Sequence, residues 1–145
     1  MTAQVNGFDF LIGRWQVTNV RADEEFPSTA ECRQLFGGAA NIDEIDFSTR
    51  GFRGLTLRLY DAARDEWTLH WADSRTGRPS PPMAGRFGED GTGVFYGEDE
   101  VDGVRVRCRF VWTVLGPDAA RWEQAYPDRD GNWETNWIMQ FVRIK

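Results

Sequence analysis

Gly13-Arg14-Trp15 begins the first extended stretch of this chain, and Phe141-Val142-Arg143 ends the last one. A glycine lets the backbone turn sharply out of Asn6 to Ile12, so that the tryptophan can lie across one end of a barrel. An arginine on the final strand can then stack its guanidinium on the indole face. The two ends of the chain thus hold both halves of a contact that closes a sheet on itself, and Trp15 is expected beside Arg143 in a closed β-barrel.

Between these ends the dominant signal is alternation. From Trp15 onward it runs through Thr29 to Phe36, Asn41 to Phe47, Phe52 to Tyr60, Glu66 to Asp73, Pro82 to Phe87, Thr92 to Gly97, Val104 to Leu115, Arg121 to Tyr126 and Trp133 to Val142. With the first strand this predicts an all-β, ten-stranded antiparallel barrel over a single domain, residues 1–145. Asp90-Gly91, Asp102-Gly103 and Asp130-Gly131 supply the positive φ of tight hairpins, which gives an up-and-down order. Asn6 to Ile12 is short, apolar and led by Asn-Gly, and is expected as one helical turn or an irregular plug under the barrel. Pro79, Pro81 and Pro82 mark a stiff loop or sheet edge.

Phase assigns faces to these strands. Val106, Cys108, Phe110 and Trp112 alternate with Arg105, Arg107 and Arg109, and Leu55, Leu57 and Leu59 alternate with Thr56 and Arg58. An apolar-in, polar-out wall puts the leucines inside and Arg58 and the three alternating arginines outside. Trp67 and Trp71, like Trp133 and Trp137, stand four apart and should share a face in pairs.

The Gly-x-Trp with its late arginine resembles the signature of the calycin superfamily, the lipocalins and their relatives. A fuller resemblance is to bacterial lipocalin-like proteins of the DUF1579 type. It lies in Phe8-Asp9-Phe10-Leu11-Ile12-Gly13-Arg14-Trp15, Trp71-Ala72-Asp73-Ser74-Arg75-Thr76-Gly77, Gly85-Arg86-Phe87, Arg121-Trp122-Glu123-Gln124-Ala125 and Trp133-Glu134-Thr135-Asn136-Trp137. That resemblance implies a calycin-like barrel and supplies no reaction and no catalytic residues. More distantly similar are the nitrobindins, barrels that hold haem iron through one histidine near the chain end; Trp133 to Lys145 contains no histidine, so no cofactor is expected.

Composition narrows the partners. Seven Trp, ten Phe and three Tyr suit either a filled core or the walls of an apolar cavity. A net charge of −6, with Lys145 the only lysine, argues against a phosphate-tracking surface, so nucleic acid is not an expected partner. No long apolar run reads as a membrane span, and Met1 to Phe10 lacks a basic start followed by an apolar core, so a cytoplasmic protein without a membrane partner is expected. In that compartment Cys32 and Cys108 would be reduced, buried thiols.

Common catalytic motifs are missing from the chain, and its single histidine rules out a histidine-cluster metal site. His70 falls on the face opposite Trp67 and Trp71 and reads as a surface imidazole. Trp71, Trp122 and Trp137 run in phase with Leu69, Gln124 and Met139, and are expected to line an aromatic interior, with Gln124 and Thr135 as uncharged hydrogen-bonding handles. Asp73 and Arg75 either grip a ligand at the mouth or merely build their own turn. Tyr96 joins this wall if Asp90-Gly91 forms a two-residue hairpin, which pairs it with Gly85; a three-residue loop pairs it with Ala84, and the same ambiguity leaves Arg86 inside or outside.

Asp43 and Glu44 face opposite ways, and one of them points inward. An inward carboxylate could act as general acid or base, or could pair with Arg33, Arg58 or Arg86. The leading functional expectation is non-covalent binding of one small apolar or aromatic molecule at Trp71, Asp73, Tyr96, Trp122, Gln124 and Trp137. A cyclase or isomerase that folds its substrate in the barrel, and a packed structural or interaction domain, are the alternatives; oligomeric state is left open.

Overall fold

The computed structural model describes residues 3–145; Met1 and Thr2, and with them the start of the leader reading, lie outside the described residues. Ten strands follow in order: β1 (Gly13–Arg21), β2 (Glu24–Leu35), β3 (Ala40–Phe47), β4 (Phe52–Asp61), β5 (Glu66–Asp73), β6 (Met83–Phe87), β7 (Thr92–Val101), β8 (Val104–Gly116), β9 (Ala119–Pro127) and β10 (Trp133–Arg143). Each pairs antiparallel with its sequence neighbours, and β1 closes on β10 to complete an up-and-down barrel.

The closing contact takes the expected form. Trp15 is paired with Arg143, whose guanidinium lies 4.2 Å from the indole centroid. Its Nη1 donates to the Ile12 carbonyl at 2.6 Å and its Nη2 to that of Phe10 at 2.8 Å, while Trp15 Nε1 donates to Leu11 at 2.8 Å. Gly13 has φ +123°, and a Cβ there would stand 2.6 Å from Arg143 Nη1. The glycine is therefore required both by its backbone angle and by the arginine that crosses it.

The stretch before β1 forms two 3₁₀ turns, Gln4–Asn6 and Asp9–Leu11, that plug this end of the barrel. Gln4 anchors them by donating to the Phe87 carbonyl at 2.7 Å and accepting the Phe87 N–H at 2.9 Å, and its own carbonyl accepts Trp67 Nε1. Phe8, fully buried, drives its ring among Trp67, Phe87, Phe95 and Trp112 at centroid distances of 4.9–6.2 Å. Edge-on and offset rings of this kind seal the floor with dense apolar contact.

At the opposite end, Asp102-Gly103 turns β7 into β8 with φ of 51° and 80°, the pair of positive angles that a tight hairpin needs. Asp90-Gly91 behaves differently. It belongs to a longer loop, and β6 then pairs with β7 so that Ala84 faces Tyr96 and Gly85 faces Phe95. β5 and β6 pair only from Trp67 to Leu69, after which the proline-bearing segment between them peels away and returns through Ser80 N–H to the Trp71 carbonyl at 2.8 Å.

Two faces differ from the sequence expectation. On β4 the phase is reversed: Thr56 and Arg58 point inward, Arg58 is 3% exposed, and Leu55 is exposed on the outer wall. The inward arginine is tolerated because β3, its neighbour, brings Asn41 opposite it and Asp43 within reach. On β10 a bulge between Thr135 and Trp137 inserts one residue, so Trp133 and Trp137 no longer share a face. Trp137 is buried, whereas Trp133 lies outside beneath the guanidinium groups of Arg107 and Arg109 at 5.2 and 5.1 Å.

Candidate functional site

The plug closes one end of the barrel and the other end leads into a cavity of about 450 Å³. Its floor holds Arg58, Asp43 and Trp112; its walls are Ala30, Ile45, Leu69, Met83, Cys108, Phe110, Trp122, Met139 and Phe141. The rim combines the segment after β5, represented by Arg75, Thr76, Arg78, Ser80 and Pro81, with the acidic β7–β8 hairpin from Glu98 to Asp102. A cavity of this size lies within the range that holds one small molecule, and its predominantly apolar wall with a few polar groups matches what such sites require.

Trp71, Trp122 and Trp137 all line it. Trp122 and Trp137 meet edge to face at 5.3 Å, and Trp122 meets Phe110 in the same manner at 5.0 Å. The orientation of Trp137 is fixed by a buried chain: its Nε1 donates to Asn19 Oδ1 at 3.0 Å, and Asn19 Nδ2 donates to Ser28 Oγ at 2.9 Å. Its polar edge is thereby satisfied and only apolar ring surface is offered to an occupant. Trp71 lies flat on β4, where Gly54 makes room: a Cβ at that position would stand 2.0 Å from Trp71 Cη2.

Asp73 lines the cavity just inside the rim, but its carboxylate is engaged by Arg75, whose Nη2 donates at 2.9 Å and Nε at 3.2 Å, with the Arg75 amide adding a third bond. The bonded arginine holds the Asp73 carboxyl below its ordinary value against the opposing effect of burial. Arg75 in turn stacks 3.8 Å from the Phe52 centroid. The two residues therefore build their own turn and also border the opening as a neutralised pair.

Gln124 is placed opposite Trp137 and buried in the wall. Its Nε2 donates to Asn136 Oδ1 at 2.9 Å and approaches Tyr126 Oη at 3.4 Å, and that hydroxyl donates to Asp99. Burial, followed by the bond to Asp99, raises the Tyr126 phenol above its ordinary value, so it remains protonated as a donor. Asn136 is the inserted residue of the β10 bulge, and it takes the place expected for Thr135, which is exposed.

Tyr96 is not brought into this group. Paired with Ala84, it stands on the outer wall, 49% exposed, against the Trp133 ring at 5.9 Å. Arg86 shares that outer side and donates to the carbonyls of Arg64 and Asp65. Glu44 faces out beside Arg53, and His70 is held on the outer wall by Thr68 Oγ1 at 2.9 Å. Cys32 and Cys108 are free and buried, and burial pushes both thiols up to about 12. Among the described residues no group of three or more His, Cys, Asp or Glu converges to hold a metal ion, and no helix is long and apolar enough to cross a membrane.

The pair on the floor is one of the options the sequence leaves open, an inward carboxylate with Arg33, Arg58 or Arg86, but strand phase wrongly assigns Arg58 to the outer face. Arg58 Nη2 donates to Asp43 Oδ2 at 2.6 Å and Nη1 to Asn41 Oδ1 at 3.0 Å, all three residues being buried. The available signal was the other phase of β4, in which Phe52, Gly54, Thr56, Arg58 and Tyr60 share one face; three leucines outweighed it.

No family model and no curated protein matches the chain. Solved structures do. The S-type phycobiliprotein lyase of Guillardia theta matches with a TM-score of 0.59 at 14% identity, over 100% of this chain and 98% of that one. A redesigned β-barrel matches at 0.55 and 11% identity, over 99% and 100%. At such identities the likeness is one of fold alone, that of a closed, antiparallel up-and-down β-barrel.

Proposed function

We propose that this barrel binds one small apolar or aromatic molecule non-covalently, and that it is a lipocalin-like protein of the DUF1579 type acting in the cytoplasm. The observation that carries the reading is the aromatic-walled cavity of about 450 Å³, open at one end and closed by the plug at the other. A barrel evolved only as a solid scaffold would fill that space, because interiors pack to nearly crystalline density. Binding is favoured over catalysis by the state of the inward carboxylate. Asp43 is tied to Arg58 at 2.6 Å, which leaves it a poor candidate for general acid or base.

Within this reading Trp122, Trp137 and Trp71 supply ring faces, Gln124 and Tyr126 supply polar contacts near the mouth, and the Asp73–Arg75 pair borders entry. Titration with 1,6-diphenylhexatriene, a probe with no polar atom, tests it. Tryptophan emission should be quenched to saturation at one probe per chain, and Trp122→Ala or Trp137→Ala should weaken binding roughly tenfold while the far-ultraviolet signal of the barrel persists. Unsaturable quenching, or affinity indifferent to both substitutions, would overturn the proposal.

A further inference from the structure

We infer that the molecule held by the barrel carries a hydroxyl group, which it donates to the side-chain carbonyl oxygen of Gln124 on the cavity wall. The inference deepens the binding function proposed above and rests on it. A chain of hydrogen bonds with a fixed direction carries it. A carboxylate accepts and does not donate, so Tyr126 spends its proton on Asp99. The phenol oxygen can then only accept from Gln124, whose amide nitrogen must face it at 3.4 Å. That nitrogen gives its other N–H to Asn136 Oδ1 at 2.9 Å. Both amide protons are thus used inside the wall, and what Gln124 has left is its carbonyl oxygen, Oε1.

Gln124 is 6% exposed and lines the cavity, and Oε1 accepts from no described residue. The oxygen is also not sealed: among the described residues, the unpartnered polar side-chain atoms without open surface are the Nε atoms of Arg58, Arg109 and Arg121. Its open surface belongs to the cavity, since the neighbouring cleft lined by Val20, Thr135 and Ile138 does not include Gln124. An occupant that covers this oxygen displaces solvent from it and must replace that hydrogen bond or lose affinity. A carbonyl, an ether or a carboxylate would set lone pair against lone pair, so the replacement has to be a donor. An ammonium donates, but the Arg21 guanidinium, 4.3 Å from the Trp137 centroid, lines the same cavity and opposes a second cation. Trp112 and Trp122, paired across β8 and β9 and lining the cavity, give their indole N–H groups to no described residue. A wall that offers an acceptor and donors together suits a group that both donates and accepts without charge, which is a hydroxyl. The occupant so defined is an aromatic or apolar alcohol or phenol, its apolar body against the tryptophans.

The test compares 2-naphthol with 2-methylnaphthalene, in which a methyl replaces the hydroxyl, and with 2-methoxynaphthalene, which keeps the oxygen and loses the proton. Affinities are read by isothermal titration calorimetry at neutral pH, in the wild-type protein and in Gln124→Met. Methionine keeps an unbranched side chain of similar length but has no carbonyl. Comparing the naphthol-to-methylnaphthalene affinity ratio between the two proteins cancels the cost of dehydrating each ligand. That ratio should fall about fivefold in Gln124→Met, the effect of one neutral hydrogen bond, whereas the methoxynaphthalene-to-methylnaphthalene ratio should not fall. In wild-type protein, carbon-13 NMR should also show the Gln124 side-chain carbonyl resonance moving with naphthol and not with methylnaphthalene, a readout that stands if Gln124→Met does not fold. An unchanged naphthol ratio, or a Gln124 carbonyl that responds alike to both, with both naphthalenes bound saturably overturns the hydroxyl assignment and leaves the binding function standing. A methoxynaphthalene ratio that falls as far as that of naphthol also overturns it, because the proton would then carry nothing. Failure of all three naphthalenes and of diphenylhexatriene to bind overturns the binding function itself.

Discussion

Asp43→Asn places the greatest single demand on the interior described above, because it removes one charge and almost no volume. In the folded protein Arg58 is 3% exposed and its carboxylate partner is 2.6 Å away, with Asn41 as the other acceptor. The asparagine can still accept one hydrogen bond, yet it leaves the guanidinium charge inside an apolar barrel without compensation. Breaking a buried pair from one side costs about 3 to 5 kcal/mol, against a total stability of about 5 to 15 kcal/mol for a domain of this kind. Urea unfolding followed by tryptophan emission would measure it. Glu98→Gln supplies the contrast: its partner Arg105 stands 3.5 Å away, but both are exposed, so its loss should fall within about 0.5 kcal/mol. A cost below about 1 kcal/mol for Asp43→Asn would refute the reasoning, since it would mean that solvent reaches the pair and screens it.

Trp15→Ala should cost about 3 to 5 kcal/mol in the same assay, because it deletes a fully buried indole and strands Arg143 at the barrel closure; a cost like that of a surface change would contradict that role. Gly54→Ala pushes a methyl to 2.0 Å from Trp71 Cη2, so diphenylhexatriene affinity should drop several-fold, roughly the loss of one contact surface; unaltered affinity and emission would take Trp71 off the binding wall. Both thiols titrate near 12 instead of the ordinary 9, so the stability they confer is complete below pH 9 and is lost as pH rises toward 12. The wild-type urea midpoint should therefore fall more steeply over that window than that of a Cys32→Ala/Cys108→Ala variant, and parallel slopes would refute it. Ellman's reagent should find both thiols in denaturant without reductant and almost none in the native protein at pH 8; fewer than two in denaturant would contradict the reduced state.

Much of the barrel is legible in its alternation, because a wall with one wet face writes its phase directly into the chain. β5 begins and ends where turn residues and aromatics place it, and Trp15 and Arg143 meet as their types demand. β7 runs on past Gly97 through Glu98, Asp99 and Glu100 to Val101, because the hairpin continues beyond the apolar run that marks its start. β4 misleads for a physical reason: hydrophobicity predicts the inner face only where no polar partner waits inside, and Asp43 with Asn41 inverts the preference. That partner sits on another strand, so no local pattern in β4 encodes it. The displacement of Thr135 by Asn136 and the outward turn of Trp133 both follow from one inserted residue, which a period-two reading has no means of seeing. Tyr96 was decided by loop length alone, and the longer loop put it outside.

Ala30→Phe tests the central claim most directly. Ala30 is buried on β2 between Trp15 and Ile45, and it lines the cavity without filling it. A phenyl ring there occupies space that is empty in the native barrel, so the fold should persist, as read by far-ultraviolet circular dichroism and an undiminished urea midpoint. Diphenylhexatriene titration should then give one saturable site per wild-type chain and a loss of at least tenfold in affinity in the variant, roughly the effect of forfeiting one well-packed contact surface. Equal saturable binding by the two folded proteins would place the ligand outside the barrel and contradict the account.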